Sequence, residues 1–209
     1  GDTGVGDQGD TGAGTQGDTG TDGDTGAATD GDTGIQGDTG AGGGGGAWQK
    51  TFDLADLQAL ETNFAPLEKV SGTNIEKLIR AFDDTTEEYA NGKFKVPGDV
   101  DTGGTVTFRA YVMAKAAVAS KNVALTFGHT ARNDSEDFDV AYTDEAIDDQ
   151  AIDATQDDLT EITWTETVSN LAWAADDMVY FRISRPPATT TNLAGDMYWE
   201  TFSVEIPRA

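Results

Sequence analysis

Glycine returns at almost every third position through the first forty-six residues, and no other feature restricts the fold of this chain so severely. The unit Gly-Asp-Thr-Gly begins at Gly1, Gly9, Gly17, Gly23, Gly31 and Gly37. The in-phase runs are Gly14, Gly17, Gly20, Gly23 and Gly26, then Gly31, Gly34, Gly37 and Gly40. Three chains wound as polyproline helices leave room on their shared axis for a hydrogen atom only. A Gly-X-Y period is therefore the imprint of a triple helix with those glycines on its axis. One chain cannot wind this way, so a homotrimer is expected.

The period slips where Gly4 is followed by Gly6, Gly12 by Gly14 and Gly26 by Gly31, and each slip should loosen or kink the rod. All five prolines lie downstream, so the usual imino-acid preorganisation is missing and the segment should not nucleate unaided. Fully wound, its first forty residues would span about 120 Å at the polyproline rise. A Gly-rich linker or an acidic disordered tail would share this composition. Such segments have no reason to keep glycine every third residue with Asp at X and Thr at Y, which favours a collagen-like stalk. The run Gly42 to Gly46 can leave the triple-helical path and reads as a hinge.

Charge and composition narrow the partners. The net charge is −25, with 27 Asp against 11 Glu, and nucleic acid and anionic membranes are poor partners for such a surface. Nine of the Asp lie in the stalk, which holds no Lys or Arg. Three such chains side by side need salt or bound cations, Ca²⁺ among them, to screen the repulsion; no other cofactor is expected. The Asp-rich, Lys-poor composition resembles that of proteins from high-salt environments, although an acidic surface also serves simply to keep a secreted fibre soluble. There is no Cys, which removes disulfides, thiol catalysis and thiolate metal sites. No run of eighteen apolar residues suggests membrane insertion. The chain opens on Gly1 rather than Met, as expected of a processed form or the C-terminal part of something longer.

After the glycine run, Asp53 can cap a short helix, and Leu57, Leu60, Phe64 and Leu67 follow at spacings of three, four and three. Those are a and d positions over one and a half heptads, so residues 47–77 are expected to form a short helical neck where three chains meet, ended by Pro66. An ordinary helix packed on its own domain fits the same spacing. From Leu78 onward the period becomes two. Val106, Phe108, Ala110 and Val112 share a face; so do Val123, Leu125 and Phe127, and so do Val179, Phe181 and Ile183. Ile162, Trp164 and Val168, and then Phe202, Val204 and Ile206, repeat the pattern. With weaker runs near Ile79, Tyr89 and Phe138 this makes about eight strands, which predicts an all-β, jelly-roll-like sandwich head over 78–209.

Catalytic signatures are missing: there is no Gly-x-Ser-x-Gly elbow, no phosphate loop and no His-Glu-x-x-His. His129, the only histidine, follows Phe127 on the inward face and reads as a structural residue. Carboxylate pairs are expected by chance in so acidic a chain, and the protein is read as no enzyme. The calcium-loop spacing does not occur; Asp134, Glu136, Asp137 and Asp139, with Asp99 and Asp101, are the weak metal candidates. Trp199 lies out of phase with Phe202, Val204 and Ile206, and Tyr180 lies opposite Val179 and Phe181. Both are expected on a face that meets a neighbouring subunit or a sugar ring.

The Gly-Asp-Thr-Gly repeats, followed by segments such as Ala81-Phe-Asp-Asp-Thr-Thr-Glu-Glu-Tyr89, Gly104-Thr-Val-Thr-Phe-Arg-Ala-Tyr111 and Val179-Tyr-Phe-Arg-Ile-Ser-Arg185, resemble collagen-like fibre proteins of tailed viruses. The resemblance covers most of the chain. It implies a homotrimeric structural fibre on the virion surface, attached to other virion proteins by tail or capsid, whose head touches a host surface receptor or glycan. The alternative is a cellular surface adhesin, or a subunit of an extracellular filament, with a collagen-like stalk. A glycan-cleaving depolymerase would need paired carboxylates in a cleft.

Overall fold

In this computed structural model the residues described are 46–59, 62–71, 74–117, 122–137, 139–187 and 193–209. The glycines expected on a triple-helix axis, and Leu60 of the expected neck, lie outside them. Ten strands follow in order: β1 (Trp48–Asp53), β2 (Leu67–Ser71), β3 (Glu76–Phe82), β4 (Glu88–Lys95), β5 (Thr105–Ala114), β6 (Asn122–Arg132), β7 (Thr143–Ala151), β8 (Thr160–Thr167), β9 (Met178–Arg185) and β10 (Met197–Ile206). One turn of 3₁₀ helix, Leu54–Asp56, is the only helix among the described residues.

The pairing is nested. β3 pairs with β10, β4 with β9, β5 with β8 and β6 with β7, all antiparallel. The chain is thus one long ribbon closed at β6–β7 and rolled until alternate segments fall in opposite layers. Six strands make one sheet, in the order β2-β3-β10-β5-β8 with β1 also on β10, and four make the other, β4-β9-β6-β7. This is the jelly-roll arrangement that eight alternating strands predict, with β1 and β2 added to it.

Inward residues of both sheets interlock around aromatic rings. Phe202 on β10 lies 5.4 Å from Phe181 on β9 and 5.5 Å from Phe127 on β6, and Phe108 on β5 lies 4.8 Å from Phe127. Phe108, Phe127, Phe181 and Phe202 are completely or almost completely buried, as the period-two pattern requires. Gly92 on β4 faces this layer: a Cβ there would sit 2.5 Å from the Phe181 ring and 2.9 Å from Leu57, so only glycine lets them close over the strand.

Two expectations fail here. The described residues of 47–77 form no helical neck: β1 pairs with β10 from Trp48↔Ile206 to Asp53↔Thr201, and β2 forms a hairpin with β3. Asp53 does cap, accepting from the Ala55 amide at 2.9 Å, but it caps a single 3₁₀ turn. Leu57 is buried in the sandwich core, while Phe64 and Leu67 are each 45 % exposed, so the three do not share a stripe. Arg80 enforces the alternative path. Buried on β3, it donates to the carbonyls of Leu54 (3.0 Å), Ala65 (2.6 Å) and Leu57, which pins these three residues against the sandwich. The second failure is Trp199, which is fully buried against Phe82 at 5.5 Å, with its indole N–H donating to the Thr201 carbonyl. A bulge at Glu200 shifts the register between Trp199 and Thr201, so residues on either side of it that look out of phase share one face.

Candidate ligand-binding cleft

On the four-stranded sheet, alternation turns Tyr89, Asn91 and Lys93 of β4 outward, with Tyr180 and Arg182 of β9 and Thr126, Gly128 and Thr130 of β6. Register sets them in rows. Asn91, Arg182, Gly128 and Asp144 lie side by side across the four strands, and Lys93, Tyr180 and Thr130 form the next row. The edge of β4 is closed by the stapled segment: Gln58 and Asn91 exchange backbone hydrogen bonds of 2.9 and 3.0 Å, and Ala65 donates to the Tyr89 carbonyl at 3.1 Å. That segment forms one wall. Asp139, Val140 and Tyr142, in the connection leading to β7, form the other, and between them lies a cleft of about 450 Å³.

Arg182 organises one flank. Its guanidinium sits 4.9 Å from the ring of Tyr89 and 4.9 Å from that of Tyr142, between the two, and pairs with Asp144 at 3.2 and 3.3 Å. Gly128 makes this possible: a Cβ there would lie 2.9 Å from the Arg182 side chain, which crosses the strand at that point. The positive charge is therefore committed, and the two tyrosines are held in place by it.

Asn91 differs. It is 4 % exposed, it lines the cleft, and its side-chain amide nitrogen is buried without a hydrogen-bond partner. The Arg182 Nε is buried and unpartnered too. Buried polar groups are almost always satisfied, and an orphaned donor costs about 1–3 kcal/mol.

Beneath this face His129 is buried and takes a structural part: its Nδ1 accepts from the Trp173 indole at 3.3 Å, and its ring stacks on Phe127 at 5.5 Å. Burial pushes its pKa down to about 4, so it is neutral at pH 7.

Of the sequence-predicted site residues, Tyr180 lines the cleft and Trp199 does not reach the surface. Asp134, Glu136, Asp137 and Asp139 are not among the carboxylates that converge. Glu136 accepts from the Asn133 amide at 3.0 Å and Asp137 from the Asp139 amide at 3.0 Å, as turn formers, and Asp139 belongs to the cleft wall. Asp99 is held by Arg208, its carboxylate at 2.6 Å from the guanidinium, and Asp101 closes the turn to Gly103. Among the described residues the carboxylates that do converge are Asp83, Asp84 and Asp196. Their oxygens are already committed. Asp83 accepts from Thr85 and Thr86, which holds its carboxyl below the usual range; Asp84 accepts from the Gly195 amide, and Asp196 pairs with Lys115 at 3.1 Å.

Sequence reading missed Asn91, Arg182, Tyr89, Tyr142 and Gln58. One signal was available: Gly128 interrupts an otherwise well-filled strand, and glycine inside a strand marks a place where another group passes close to the backbone.

No family model matches the chain, and no curated protein is similar to it in sequence. Solved structures align with it at low scores. A xylan-binding module, CBM15, aligns over 77 % of this chain and 97 % of its own at 14 % identity and TM-score 0.39. The CBM22-2 xylan-binding domain of Paenibacillus barcinonensis Xyn10C aligns over 75 % and 98 % at 13 % identity and TM-score 0.40. The K3 cleaved adhesin domain of Lys-gingipain from Porphyromonas gingivalis aligns over 77 % and 91 % at 17 % identity and TM-score 0.34. At these scores the likeness carries no argument about what this chain binds.

Proposed function

We propose that the protein is a non-enzymatic fibre subunit: a homotrimer with a collagen-like segment over residues 1–46 and a jelly-roll recognition head, carried on a virion and directed at a host surface. The observation that supports this best is the glycine period, which requires three chains, in the same polypeptide as a sandwich with a recessed, tyrosine-lined cleft. Self-association has a surface to use. Leu67 and Leu78 lie on the β2–β3 hairpin, Ile75 at its turn and Phe64 before it, and they are 45, 54, 69 and 45 % exposed; a second copy of the chain would cover them.

The same features serve a cellular surface adhesin or a filament subunit. A secretion leader or anchoring signal in the full-length gene favours that second reading, and a neighbouring virion gene the first. The deciding measurement on the purified chain is native mass by light scattering, with far-ultraviolet circular dichroism at low and high salt. A mass of three protomers and a collagen-type signal that strengthens with salt are expected, because salt screens the Asp repulsion. A monomer lacking that signal would remove the basis of both readings.

A further inference from the structure

We propose that the cleft over Asn91, Tyr180 and Tyr142 binds a segment of an uncharged polysaccharide. This rests on reading the chain as a recognition head and names the class of ligand it recognises.

Three observations converge on that class. The first is the unpartnered side-chain amide nitrogen of Asn91, a buried residue that lines the cleft. An amide N–H donates, so the missing partner is an acceptor, and sugar hydroxyl and ring oxygens are acceptors set on a rigid frame. The second is the pair of tyrosines. A pyranose presents apolar C–H faces, and a tyrosine ring offers a broad apolar plane with a polar tip. Tyr142 is already ordered by Arg182, and Tyr180 is fixed in the sheet between Lys93 and Thr130, so little rotamer freedom remains to be lost on binding. The third is charge. Arg182 is neutralised by Asp144, and Lys93 shares the cleft lining with two carboxylates, Asp56 and Asp139, within a chain of net charge −25. No surplus positive charge is left for a uronate, sialylated or nucleic-acid chain, and the long-range field repels polyanions. A volume of about 450 Å³ suits a short stretch of sugar units rather than a protein loop.

The test is affinity electrophoresis of the full chain in native gels cast with xylan, β-glucan or galactomannan, with polygalacturonate as the charged comparison. Retardation by at least one neutral polymer and none by polygalacturonate is expected. Tyr180→Ala should weaken that retardation at least tenfold. Asn91→Ala should weaken it about tenfold while leaving Tm unchanged or raised, since it removes an orphaned donor; a purely structural asparagine would show the opposite pair of results. Absence of retardation by every neutral polymer, or stronger retardation by polygalacturonate, overturns the proposal. Native mass measured on the same samples separates the two readings: a trimer that binds no neutral polymer refutes the saccharide cleft alone, and a monomer that binds one refutes the fibre alone.

Discussion

The two outer faces of this sandwich are built by the same alternation and end in opposite states. On the six-stranded sheet, Arg109 of β5 reaches Glu205 of β10 at 2.7 Å and Glu161 of β8 at 3.7 Å, and Tyr111 donates to Glu161 at 2.5 Å. These charges have counterparts on the neighbouring strands, and this ladder is complete without a ligand. On the four-stranded sheet the aromatic and amide groups sit between two walls, and Asn91 and Arg182 keep donors that the protein leaves unfilled. A face that satisfies itself needs no partner, whereas one that stores unsatisfied donors beside exposed ring area is organised for something it does not contain.

Removing the wall should break the contrast most strongly. Arg80→Met strips three carbonyls of their buried donor at once, and a loss of about 3–5 kcal/mol is expected in chemical denaturation, with the saccharide retardation lost alongside it. A drop below about 1 kcal/mol with binding intact would show that Leu54, Leu57 and Ala65 keep their places without this staple.

Acid should come next. The His129 pKa is depressed from an ordinary value near 6.5 to about 4, so between those two values the unfolded chain binds more protons than the folded one. The neutral histidine therefore contributes fully above pH 6.5, and its contribution of about 3 kcal/mol is lost as the pH falls toward 4. Denaturation midpoints at pH 7 and pH 4.5 should move apart in the wild type and noticeably less in His129→Phe. Equal shifts in both proteins would mean that carboxylates alone carry the acid sensitivity.

The smallest change is expected on the self-satisfied face. Arg109→Met breaks a partly exposed ladder, whose worth in water is under about 1 kcal/mol, and saccharide binding should be unaffected. A change in retardation with this variant would mean that the two faces are coupled.

Much of the architecture can be read from the residues before any coordinates. Strands β5, β8, β9 and the second half of β10 alternate so cleanly that both their existence and their inward sides follow from period alone, and with them the eight-strand jelly roll. Where the reading failed, a second pattern was superimposed on the first. Leu57, Phe64 and Leu67 sit at heptad spacing by coincidence, while Arg80, from the far strand of the next hairpin, decides their path through contacts that no local window contains. β7 carries only Ile147 as a well-buried residue among its acidic neighbours, so as an edge strand it reads as a solvated loop. One bulged residue, Glu200, inverts the apparent side of Trp199. The cleft was legible in part, through Tyr180 as a candidate contact residue, Asp139 in its wall and the strand glycine Gly128. Its defining property is an amide left without a partner, and that depends on what lies around Asn91 in space.

The nested ladder also sets an order in time. His129 meets Thr143 across a short hairpin, whereas Phe82 must find Met197 and Trp48 must find Ile206, almost the whole described chain away. Contacts between distant residues carry the larger loop-closure entropy and form late. Within the nested ladder, zipping should therefore begin at β6–β7 and run outward through β5–β8 and β4–β9, with β1 docking on β10 as the last event, while the local β2–β3 hairpin closes independently. The strand that follows directly on the glycine repeat is thus the last to be secured, and the rate of that step reports when the head is finished.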